Sequence, residues 1–178
     1  VADTWTVDDD GKADFSTIQE AIDAASDGDE IIVAPGAYFS KQDAVVRLNG
    51  KSVWLHSSGG SNVTFIDGLG FVRGLICVDG ETSSTHIQGF TIQNCRATQY
   101  DWDEDGIIES WERSGGGMGN ANSSPMVSDC VFLYNDGSDG GGGMFNFMSS
   151  PTVNNCSFQG NTVGNNASGG GMYNRNSS

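Results

Sequence analysis

The chain has 178 residues, enough for one domain of ordinary size, and sets 8 lysines and arginines against 23 aspartates and glutamates for a formal charge of −15. So acidic a surface repels nucleic acid and anionic lipid while favouring divalent cations, and no run of about 18 apolar residues offers a membrane span. Glycine is abundant at 26 residues, but Ile, Val, Phe, Trp and Met recur at regular places between the glycines, which argues for a packed fold over disorder.

The chain opens Val1-Ala2-Asp3-Thr4-Trp5, with neither an initiator methionine nor a basic-then-apolar leader, and reads as a mature secreted protein. Asp8-Asp9-Asp10-Gly11 follows as a solvated turn, a better reading than a cation site. Ser16 and Gln19 then have capping-box spacing, with Ile18, Ala21, Ile22 and Ala25 at i, i+3, i+4 and i+7. This predicts an amphipathic helix over about 16–26, stopped by Asp27-Gly28-Asp29. Residues 1–30 thus form a cap, and the apolar strand Glu30-Ile31-Ile32-Val33 begins the body. Residues 31–98 predict irregular coils, with strands at 45–48, 52–56, 63–66 and 75–78.

Residues 99–114 interrupt this pattern. Counting from Asp101, acids stand at the first, third and fifth places (Asp101, Asp103, Asp105), then come Gly106, Ile107, Ile108, Glu109 and, at the twelfth, Glu112. Alternate carboxylates can wrap one side of a hard cation, a glycine permits the sharp turn, a backbone carbonyl adds a ligand and the last glutamate closes bidentately. The spacing resembles an EF-hand loop. That resemblance implies Ca2+ held by Asp101, Asp103, Asp105, the Ile107 carbonyl, Glu109 (directly or through water) and Glu112. It departs from the pattern in lacking evident flanking helices, since Arg113-Ser114-Gly115-Gly116 follows at once. Affinity in the extracellular class, about 10⁻⁴–10⁻³ M, makes the ion a structural one that orders the insertion.

Residues 115–178 repeat. GGGMGNANSSP from Gly115, GGGMFNFMSSP from Gly141 and GGGMYNRNSS from Gly169 place Met118, Met144 and Met172 26 and 28 residues apart. The second half of the unit repeats as SSPMVSDCVFLYN from Ser123 and SSPTVNNCSFQGN from Ser149, with a weaker copy, SSTHIQGFTIQNC, from Ser83. No stretch within a unit has 3.6-residue spacing. Short alternating runs appear instead, so each unit reads as three strands joined by turns, one coil of a parallel β-helix. About six coils fit. Residues one period apart then lie over each other: Val127 with Val153, Cys130 with Cys156, Phe132 with Phe158. Asn120, Asn146 and Asn174 form one amide ladder at a turn, and Asn135 and Asn161 another. The unit stops partway through a coil, so the expectation is a solenoid that continues or stacks beyond residue 178, head-to-tail stacking building a filament.

The opening stretch DDDGKADFSTIQEAIDAASDGDEIIVAPGAYF, with NVTFIDG, IQGFTIQNC and SSPTVNNCSFQGN, resembles the pectin-lyase-like superfamily and bacterial secreted β-helix repeat proteins. The resemblance covers nearly the whole chain and implies an all-β, right-handed parallel β-helix with an N-terminal capping α-helix. It is weak for activity, because sugar-active enzymes, adhesins and structural proteins share that scaffold. The lyase branch implies an Arg or Lys beside a calcium-bound acidic sugar, and here five Arg and three Lys are scattered. Hydrolases need carboxylates facing across a cleft, where these repeats put Asn, Ser and Gly. The esterase branch's acidic GxYxE element is replaced by GAYFS, ending at Ser40.

Of the remaining candidates, His56 and His86 read as separate surface strand residues. Trp54, Trp102 and Trp111 offer a sugar platform, the last two being better placed to pack the insertion onto the coil. Cys77, Cys95, Cys130 and Cys156 match no metal spacing. Cys130 and Cys156 read as a stacked apolar pair within reach of a bridge. Glycosylation sequons begin at Asn62, Asn122, Asn155, Asn166 and Asn176, with Asn155 expected to be buried. The sequence favours a non-catalytic, calcium-binding extracellular solenoid with a structural, adhesive or matrix role. The alternative is a module that binds or cleaves polysaccharide.

Overall fold

The computed structural model describes residues 1–99, 101, 106–109 and 112–177. Their strands fall into three parallel sheets that wind as a solenoid of about six coils. The first sheet stacks β1 (Thr4–Val7), β2 (Glu30–Val33), β5 (Trp54–Ser57), β8 (His86–Gln88), β11 (Met126–Ser128) and β14 (Thr152–Asn154). The second stacks β3 (Gly36–Tyr38), β6 (Thr64–Asp67), β9 (Thr91–Gln93), β12 (Val131–Leu133) and β15 (Ser157–Gln159). The third stacks β4 (Ala44–Arg47), β7 (Arg73–Cys77), β10 (Met118–Ala121), β13 (Met144–Phe147) and β16 (Met172–Arg175).

The core is built of columns, because a strand side chain on one face meets its counterpart in the next coil. Ile31, Leu55, Ile87, Val127 and Val153 stack in the first sheet. Tyr38, Ile66, Ile92, Phe132 and Phe158 stack in the second, and Val46, Leu75, Met118, Met144 and Met172 in the third. The Phe132 and Phe158 rings lie 4.8 Å apart at 5°, which is the coil spacing itself.

Both amide ladders form. Asn120 Nδ2 donates to Asn146 Oδ1 at 2.8 Å and Asn146 Nδ2 to Asn174 Oδ1 at 2.7 Å. This ladder sits inside strands β10, β13 and β16, not at a turn as expected, with Asn120 and Asn146 buried and Asn174 exposed on the last coil. Asn135 Nδ2 donates to Asn161 Oδ1 at 3.0 Å, just past β12. Corners are turned by single residues at positive φ, stacked coil on coil: Asp129 over Asn155, and Asn122, Met148 and Asn176. Asn155 sits at such a corner and is exposed, contrary to expectation, because the αL bend turns its side chain outward to donate to Asp129.

The cap helix α1 spans Ile18–Ala24, shorter than the expected 16–26. Thr17, not Ser16, is the N-cap. Its hydroxyl accepts from the Glu20 N–H while Glu20 accepts from the Thr17 N–H at 3.1 Å. At the other end Lys51 Nζ donates to the carbonyls of Ile22, Asp23 and Ala25, satisfying groups the ended helix leaves open. Ile18, Ala21 and Ile22 seal the core above the first coil.

Candidate functional site

The insertion leaves the coil after β9 and rejoins it just before β10, so its exit residues lie beside β7 of the coil below. Here the sequence places an arginine inside an otherwise apolar strand, and Arg73 is completely buried. Its Nε donates to the Gly115 carbonyl at 2.9 Å. Its Nη2 donates to the carbonyls of Glu112 at 2.7 Å and Ser114 at 3.1 Å. Burial pushes the guanidinium down to about 9, against the opposing pull of Asp43 and Glu112. One step later, Arg113 pairs with Asp139 of the following coil, Nη2 to Oδ2 at 2.6 Å. The end of the insertion is therefore fastened on both sides.

Within the insertion, Gly106 adopts φ +86° in open space, the turn the sequence requires of a glycine there. Its N–H donates to Asp101 Oδ2 at 2.7 Å, so the first carboxylate of the loop folds inward over the turn. The last does the same: the Glu109 N–H donates to Glu112 Oε2 at 2.8 Å, and Glu112 is fully buried. Ile107 is exposed. Asp103 and Asp105, together with Trp102 and Trp111, lie outside the described residues. Among the described residues, no three His, Cys, Asp or Glu side chains converge and no helix flanks the loop. A loop whose first and last carboxylates turn inward suits a hard cation with oxygen ligands, and Asp101, the Ile107 carbonyl, Glu109 and Glu112 would supply part of that shell.

Ile76, Ala121 and Phe145 alternate with core-facing neighbours on β7, β10 and β13, so they point away from the core. They are nonetheless at most 2% exposed. The outer face of the third sheet beside the insertion is dry.

No protein-family model matches the chain, and no curated protein does either. The likeness to pectin-lyase-like proteins thus rests on the motifs and on the parallel solenoid they build.

The other candidates resolve differently. The acids near the N-terminus are engaged in turn hydrogen bonds: Asp8 accepts from the Asp10 N–H, Asp9 from the Ala37 N–H, and Asp10 pairs with Lys12. His56 and His86 are not separate, because register places His86 beside Trp54 on the outer face of the first sheet. The Trp54 ring stacks on His56 at 4.2 Å and lies parallel to His86 at 6.2 Å. His56 therefore occupies one face of the indole that a sugar ring would use. A buried Glu81, unnoticed in the sequence, accepts from the Gly50 and Asp79 N–H groups and the Ser123 hydroxyl, tying three coils. Arg73 was equally unnoticed. Its only signal is a lone cation within the apolar run Phe71–Val78.

Proposed function

We propose that this chain is a secreted, non-catalytic β-helix, right-handed and of the pectin-lyase-like type, serving as a structural, adhesive or matrix element stabilised by calcium. Within residues 99–114, Asp101, Asp103, Asp105, Ile107, Glu109 and Glu112 bind Ca2+. The observation that carries this is the inward fold of both terminal carboxylates, Asp101 over the Gly106 N–H and Glu112 over the Glu109 N–H. The handedness follows from the strong right-handed preference of crossovers between parallel strands. The ion's part is mechanical: it orders an insertion whose exit is already fixed to the coil by Arg73. Self-association belongs to the same reading.

Thermal melts with millimolar calcium and with chelator test the reading. Calcium at several times its dissociation constant adds on the order of 1 kcal/mol, a rise of about 2–4 °C for a chain this size. Asp101→Asn and Glu112→Gln abolish the rise. Identical melts in calcium and chelator, with no calcium retained on equilibrium dialysis, would refute it.

A second reading, binding or cleavage of a polysaccharide, is favoured by one feature. A groove of about 570 Å³ beside α1 and β4 sets exposed Phe39 among charged side chains of both signs, Glu20, Asp23, Asp43, Lys41 and Arg47. Incubation with uronic-acid polymers separates the readings: release of unsaturated product overturns the non-catalytic one.

A further inference from the structure

Two of the four cysteines are stacked on each other. Val127 pairs with Val153 on one side and Val131 with Ser157 on the other, with no inserted residue between, so Cys130 and Cys156 occupy the same place in neighbouring coils. The Ser157 N–H donates to the Cys130 carbonyl at 3.0 Å. The thiols also lean alike, Cys130 Sγ toward the Ser128 carbonyl and Cys156 Sγ toward the Asn154 carbonyl, each at 3.2 Å. Cys130 is buried and Cys156 is partly exposed. Cys77 and Cys95 are buried in other columns, where Cys77 meets Asn120 and Cys95 meets Asn135.

Neighbouring parallel strands sit about 4.8 Å apart, inside the window of about 4.4–6.8 Å between Cα atoms that a disulfide spans. Side chains standing parallel at that spacing have Cβ atoms farther apart than the mean of about 3.8 Å in disulfides, so closure draws the coils together slightly. A strained bridge is more oxidising and more readily reduced than a relaxed one.

We propose that Cys130 and Cys156 form a reversible redox clip that locks two neighbouring coils by thiol–disulfide exchange with a small disulfide such as oxidised glutathione. Cys156 is the attacking group. Interaction between the two stacked thiols favours the thiolate at Cys156 and, together with burial, pushes Cys130 well up. Cys156 thiolate attacks one glutathione sulfur, forming a mixed disulfide and releasing the first glutathione as thiolate, which takes the proton of Cys130. Cys130 thiolate then attacks Cys156 Sγ and expels the second glutathione. Two protein thiols are oxidised, and one glutathione disulfide is reduced to two thiols. The clip closes the stretch between residues 130 and 156, so it resists fraying of the later coil.

The test treats the reduced, folded chain with oxidised glutathione and maps peptides by mass spectrometry. The expected product has lost two hydrogens, with the peptides of Cys130 and Cys156 linked and Cys77 and Cys95 still alkylatable. Its melting temperature is several degrees higher, and excess dithiothreitol returns it to the starting value. Cys130→Ser stalls as a stable glutathione adduct at Cys156, and Cys156→Ser takes up no glutathione. A wild-type chain that remains fully reduced, or that stops at the glutathione adduct without linking the two peptides, overturns the proposal. The wild-type mapping decides it even if a serine variant fails to fold.

Discussion

Replacing Arg73 by methionine probes how the insertion is held. The substitution keeps much of the length and apolar stem but removes every donor. It leaves the carbonyls of Glu112, Ser114 and Gly115 facing a side chain that cannot satisfy them, at positions that are all buried. An orphaned buried carbonyl costs about 1–3 kcal/mol, and breaking a buried charge network typically costs about 3–5 kcal/mol. Removing the cation also relieves its own desolvation, which argues for the low end, about 3 kcal/mol. Arg73→Lys keeps the charge but cannot fork to three carbonyls, so it recovers only part of the loss. Because a solenoid can unfold in parts, two readouts are needed: the urea midpoint followed by far-ultraviolet dichroism, and limited proteolysis under native conditions. Arg73→Met should lower the midpoint and expose residues 99–114 to cleavage at protease levels the parent resists. A loss below about 1 kcal/mol with an unchanged cleavage pattern would show that the three hydrogen bonds do not hold the insertion.

The glycines separate two physical causes. Gly106 lies at φ +86° in open space, so Gly106→Ala costs only backbone strain, about 1 kcal/mol. A Cβ on Gly143, by contrast, would stand 2.7 Å from Phe158 Cδ1 and 2.5 Å from the Gly171 carbonyl oxygen, so Gly143→Ala costs about 3 kcal/mol by overpacking. Equal losses in denaturant titrations would contradict the column geometry. Met148 sits at φ 49°, stacked with Asn122 and Asn176, and is 57% exposed. Met148→Asn should therefore raise stability by about 1 kcal/mol, since asparagine tolerates the left-handed region. A destabilised variant would mean that the methionine side chain makes a contact worth more than the strain.

What was legible in the sequence was whatever recurred at the winding period. Phe132 over Phe158, Val127 over Val153 and both asparagine ladders follow from self-similarity alone, because parallel coils in register turn a sequence period into a spatial neighbour. The acidic spacing of residues 101–112 was equally visible, since metal-loop chemistry is local. Its seat was not. Arg73 lies 39 residues from Glu112, outside any repeat, and a lone arginine in an apolar strand has no partner until the chain is wound. The pairing of His86 with Trp54 was hidden because residues 31–98 lack the regular period, so register could not be counted there. The capping box shifted by one residue because Thr17 and Glu20 satisfy each other's open groups better than Ser16 and Gln19 do.

By itself, then, the sequence determined the parallel winding, its columns and the composition of the inserted loop, all of which depend on neighbours along the chain or one period away. Only the tertiary structure decided which buried cation fastens that loop and that the long asparagine ladder lies within strands rather than at a corner. Each of these depends on which side of a strand faces inward and on groups brought together from irregularly spaced coils, and both are fixed by packing rather than by local preference.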